Sequence, residues 1–159
     1  MNDVAADVDD DMGTDQRWIG KLDGSQMIGA EADYGTAIRL GTSFALVEDA
    51  SNVTDAHLVA TSLGVYEAKL NGRPVSRAVL SPGWTSYEWR LQVQATDVTS
   101  LVKGQPGEQS LELTVGNGWY RGRLGFEKQE SNYGEKIGAI ATLAVRYADG
   151  TEQLVQTDL

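Results

Sequence analysis

One short run concentrates more ligand-type side chains than any other stretch of the chain: Gly116, Asn117, Gly118, Trp119, Tyr120, Arg121 and Gly122. An aromatic ring covers the apolar C–H face of a pyranose, while amide and guanidinium groups bond its hydroxyls. Asn117, Trp119, Tyr120 and Arg121 are therefore the candidate contacts of a sugar-binding surface. The same run also reads as a tight bend, with glycines that allow close packing and with Trp119 in the core. A dinucleotide fingerprint is excluded, because the spacing is G-x-G-x-x-x-G and no helical pattern follows to present its N-terminus. A second aromatic turn, residues 81–89, carries Trp84, Tyr87 and Trp89, with Pro82 and Gly83 setting the bend. Those rings either line a groove or plug one end of the fold.

Catalytic constellations are hard to assemble. The single histidine, His57, would have to centre any Ser–His–Asp triad, yet it lies in a run that reads as a strand. A partly buried, hydrogen-bonded histidine is the better reading. Glu67, Glu88, Glu112 and Glu127 offer carboxylates for glycoside chemistry, but their spacing selects no pair, and Glu67 and Glu112 fall on solvent-facing strand positions. The absence of cysteine removes disulfides, thiolate metal sites and a cysteine nucleophile.

The elements that must hold these residues read as β. Tyr66, Ala68 and Leu70 alternate with Glu67 and Lys69, and Asn71-Gly72 then supplies a hairpin turn that needs positive φ. Leu111, Leu113 and Val115 alternate with Glu112 and Thr114. Ala141, Leu143, Val145 and Tyr147 alternate with Thr142, Ala144 and Arg146, before Asp149-Gly150 turns the chain into a strand at 153–156. Weaker strands are expected at 37–47, 57–62 and 91–95, with one helical turn at most within 96–103. Many short antiparallel strands separated by turns argue for an all-β fold, an antiparallel sandwich of jelly-roll style.

The 159 residues suit one domain, with a formal charge of −10 from 23 acidic and 13 basic residues. Asp3, Asp7, Asp9, Asp10, Asp11 and Asp15 all precede Arg17, so residues 1–16 read as an acidic, disordered tail and 17–159 as the sandwich domain. The tail's aspartates do not make an EF-hand: Met12 stands where the loop needs glycine and Trp18 where it needs glutamate. The acidic balance excludes general nucleic-acid binding. No apolar run is long enough for a membrane span, and the start lacks a signal peptide, which points to the cytoplasm.

Four segments in order carry a family resemblance: 60–72, 80–87, 94–99 and 116–122. Together they resemble the N-terminal β-sandwich domain of bacterial α-L-rhamnosidases, over roughly residues 18–158. The resemblance implies a multidomain glycoside hydrolase that releases terminal L-rhamnose by inversion, with catalysis in a separate (α/α)6 barrel and none in this chain. It implies a carbohydrate-recognition role for this domain, with Trp84 and Tyr87 as secondary contacts, or alternatively a scaffold that packs against the remaining domains of the same polypeptide. A related rhamnosidase module binds L-rhamnose through calcium. Carried over, that role falls on Asn117 as an amide-oxygen ligand, while Gly118 offers no side chain.

Overall fold

The computed structural model describes residues 18–125 and 129–158. The acidic tail and Glu127 lie outside the described residues. Two four-stranded antiparallel sheets form a sandwich, the first ordered β1-β6-β3-β4 and the second β5-β2-β7-β8. The strands are β1 (Ile38–Ala45), β2 (Val53–Leu63), β3 (Val65–Leu70), β4 (Arg73–Pro74), β5 (Gln94–Asp97), β6 (Glu108–Gly116), β7 (Gly138–Tyr147) and β8 (Glu152–Gln156). Short helical turns interrupt them, among them α1 (Thr99–Lys103) and α2 (Gly118–Arg121). Among the described residues no helix is long and apolar enough to cross a membrane.

Period-two alternation builds the first sheet as expected. Tyr66, Ala68 and Leu70 of β3 and Leu111, Leu113 and Val115 of β6 are buried, and they face Leu58, Leu143 and Val145 of the second sheet across one core. Burying each such side chain contributes on the order of 2 kcal/mol. Asn71 and Gly72 take φ values of 55° and 73°, the left-handed pair that a two-residue hairpin requires. The Asn71 side chain also ties the turn to β6, accepting from Ser110 N at 2.9 Å and donating to Gln109 Oε1 at 2.7 Å.

Two details depart from the sequence pattern. β7 is buried on both faces, because Thr142 and Ala144, which the alternation assigns to solvent, are fully covered. The cover is the segment before β1. Trp18 packs with Val59 and Ala144, and Lys21 O accepts from Thr142 Oγ1 at 2.9 Å. β5 starts three residues and ends two residues later than expected, and its Asp97 side chain accepts from Thr99 N at 2.8 Å and so joins the strand directly to α1.

Candidate functional site

β6 ends at Gly116, and the chain then bends sharply over the β2–β3 turn. Glycine is obligatory here: a Cβ on Gly64 would lie 2.2 Å from Gly116 O, and one on Gly118, at φ 51°, 2.7 Å from Val65 Cγ1. The close packing expected of the bend is present, but Trp119 is not in the core. The bend is tightly packed, and it projects Trp119 and Tyr120 from the end of the sandwich, where both are partly exposed.

The long loop between β4 and β5 brings the second aromatic turn against the first. The Trp84 and Trp119 rings lie 6.1 Å apart and within 3° of parallel. Tyr87 packs edge-on to Tyr120 at 5.1 Å and tilted to Tyr133 at 5.0 Å. Trp84 Nε1 donates to the Tyr133 hydroxyl at 3.2 Å. Burial, with the neighbouring Tyr133, pushes the Tyr87 phenol above its ordinary pKa. Trp84 is still 54% exposed, so the paired indoles form an open, stepped apolar surface with polar edges.

Asn117 and Arg121 are instead engaged within the protein, Asn117 half-buried and Arg121 buried. Arg121 is buried, and Asn117 Oδ1 accepts from its Nε at 2.9 Å and its Nη2 at 2.7 Å. Asn117 Nδ2 donates to Gly35 O at 3.1 Å. Four of the six sequence-derived contacts thus converge (Trp84, Tyr87, Trp119 and Tyr120), and the polar atoms of the other two are taken up by internal hydrogen bonds. Trp89, at 88% exposure, is left to solvent. Tyr133 is the residue sequence reasoning missed; its only signal was an aromatic ring among the turn formers Ser131, Asn132 and Gly134.

The other chemical candidates are placed elsewhere. His57 is buried in β2, its ring stacked on Trp18 at 4.3 Å and its Nδ1 3.1 Å from Asp55 Oδ1, as a structural histidine would be. Glu67 and Glu112 stand on the open face of the first sheet, where Arg39 approaches Glu112 to 3.6 Å, and Glu88 is exposed. Calcium requires six to eight oxygens. Two N–H donors already occupy Asn117 Oδ1, and among the described residues no group of three or more His, Asp or Glu side chains is arranged to hold an ion.

The family described as the α-L-rhamnosidase N-terminal domain matches residues 51–159. The chain belongs to that family. An α-L-rhamnosidase of Streptomyces avermitilis is 48% identical over 103 residues, which cover 65% of this chain and 10% of that protein. One from an Alteromonas species is 32% identical over 143 residues, covering 89% of this chain and 15% of its own length. The crystal structure of the Streptomyces enzyme complexed with L-rhamnose matches with a TM-score of 0.71 at 43% identity, over 78% of this chain and 12% of that one. That of native α-L-rhamnosidase from Aspergillus terreus matches with a TM-score of 0.72 at 32% identity, over 84% and 15%. The chain therefore spans 10% to 15% of the length of these α-L-rhamnosidases. Every ring of the aromatic cluster lies inside the span of the α-L-rhamnosidase N-terminal domain; the segment that reaches Asn117 through Gly35 lies before it.

Proposed function

We propose that this chain is a non-catalytic carbohydrate-recognition domain of an α-L-rhamnosidase, meeting L-rhamnose-bearing glycosides with the Trp84–Trp119 surface. The observation that carries the reading is the parallel pairing of a half-exposed Trp84 with a partly exposed Trp119 at the loop end of the sandwich. Paired indole faces of this kind suit stacking on a sugar's C–H face, with the Tyr133 hydroxyl as a polar neighbour. Recognition, not bond cleavage, is the contribution of these residues. The sheet-face carboxylates sit in open water, without the shielding that a general acid needs.

Titrating the purified chain with L-rhamnose by NMR tests this. Saturable shifts of the Trp84 and Trp119 indole signals are expected, with a Kd on the order of 1 mM, about −4 kcal/mol. Trp119→Ala abolishes them and Trp89→Ala leaves them unchanged. Rhamnose release from an aryl rhamnoside by this chain alone overturns the non-catalytic assignment.

A second reading, a scaffold that packs on other domains of the enzyme, draws support from the same loop. Val79 is 77% exposed, and Leu80 is half exposed at φ 58°. Exposed apolar groups in one loop are a feature of packing surfaces. No saturation up to roughly tens of millimolar sugar, with concentration-dependent self-association, favours this scaffold.

A further inference from the structure

The geometry points to Arg121 as the positioning residue of the aromatic surface: its guanidinium clamps residues 33–36 to α2 and so fixes the direction in which Trp119 and Tyr120 project. The inference rests on the recognition reading for its functional meaning, and on geometry alone for the clamp. α2 is a single turn with no side-chain cap, and a turn of that length has no stability of its own. Its orientation must come from anchors elsewhere in the chain.

Arg121 supplies them. A guanidinium has five N–H donors in one plane, and each finds an acceptor here. Nε and Nη2 donate to Asn117 Oδ1, and Nη2 also donates to Thr36 O at 3.2 Å. Nη1 donates to Asp33 Oδ2 and to Glu135 O at 3.0 Å. The side chain is 9% exposed, so water competes little for these bonds. Asp33 in turn accepts from Gly35 N at 3.0 Å, which sets the turn of the 33–36 segment.

The clamp extends into the rings through the backbone. Arg121 O accepts from Ser131 N at 2.9 Å, and Tyr120 O from Tyr133 N at 3.2 Å. Tyr133 is the residue that holds both Trp84 and Tyr87. A Cβ on Gly134 would lie 2.1 Å from the Tyr120 hydroxyl, so the Tyr120 ring rests directly on that backbone. One arginine thus ties α2 on one side to 33–36 and on the other to 131–135. A lysine, with one point of charge, cannot make the planar fork. Rings held in this way are preorganised, and the affinity of a small ligand depends strongly on that.

The test reads the four tryptophan indole N–H signals in wild type, Arg121→Lys and the milder Asp33→Asn. The expected result is a shift or broadening of the Trp119 and Trp84 signals in both variants, while Trp18 and Trp89 stay in place and circular dichroism is unchanged. Rhamnose affinity falls about tenfold along with them, as expected when preorganisation is lost. Unmoved Trp119 and Trp84 signals in both variants overturn the clamp. A uniform shift of all four in Asp33→Asn overturns it as well, in favour of a general structural role. The indole signals decide the clamp whether or not sugar binds. Absence of rhamnose binding by the wild type counts against recognition only.

Discussion

Two near-parallel aromatic stacks occupy opposite situations in this molecule. Trp18 and His57 lie 4.3 Å apart at 14°, with Trp18 fully buried and the Arg146 guanidinium 4.6 Å from its ring centre. Trp84 and Trp119 lie 6.1 Å apart at 3°, the first half exposed and the second partly exposed. The first stack is saturated: imidazole on one ring, a cation over it, and Glu152 binding both Arg146 at 3.1 Å and Lys21. No ring face is left for a ligand. In the second, indoles are joined to each other and to Tyr133, and part of their surface remains available. The same chemistry serves as a sheet cover in one place and as a contact surface in the other, and what separates them is enclosure.

Mutation should separate the stacks in the same way. The largest expected effect is from Trp18→Ala, which removes the cover of β7 and leaves a cavity over Val59 and Ala144; a loss of about 3–5 kcal/mol in urea unfolding is expected. A loss under about 1 kcal/mol would mean that the cover is dispensable and the contrast false. Next, Gly122→Ala places a Cβ 2.2 Å from Gly118 O, so α2 must move; a cost of about 1–3 kcal/mol is expected, with Trp119 fluorescence altered and Trp18 undisturbed. Acid gives the smallest change. The Arg121 hydrogen bond, joined by Gly35 N, holds the Asp33 carboxyl below its ordinary value of 3.8. A lowered folded value means that its stabilisation is complete above about pH 4 and drains as pH falls through the folded value. Trp119 and Trp84 signals should therefore move as pH falls through that value, and Asp33→Asn should abolish that step. Simultaneous movement of all four would dissolve the distinction.

Legibility in the sequence followed the same division. β3 and β6 were readable because only one of their faces is buried, which gives a clean period of two. β7 carries the same period but conceals its second buried face, since burial of Thr142 and Ala144 depends on Trp18, more than a hundred residues away. The Asn71-Gly72 hairpin was readable because positive φ at both positions is a local demand. In the candidate site, the types of Trp84, Tyr87, Trp119 and Tyr120 were visible, but not that the two turns meet, nor that Asn117 and Arg121 are taken up by each other and by residues 33–36. Their acceptors, Asp33, Gly35 and Thr36, belong to a segment with no pattern of its own. Tyr133 escaped for the same reason.

The sequence by itself determined the β class, the main hairpin turns, the ordered segments of an α-L-rhamnosidase N-terminal domain and the inventory of rings. All of these rest on local demands: side-chain alternation, backbone φ and residue type. Tertiary structure alone decided which rings stay in water, which arginine is spent inside the protein and which strand has two buried faces. Those outcomes depend on what lies opposite each side chain after the sheets close, and burial and hydrogen-bond partnership are properties of that enclosure, which no local spacing encodes.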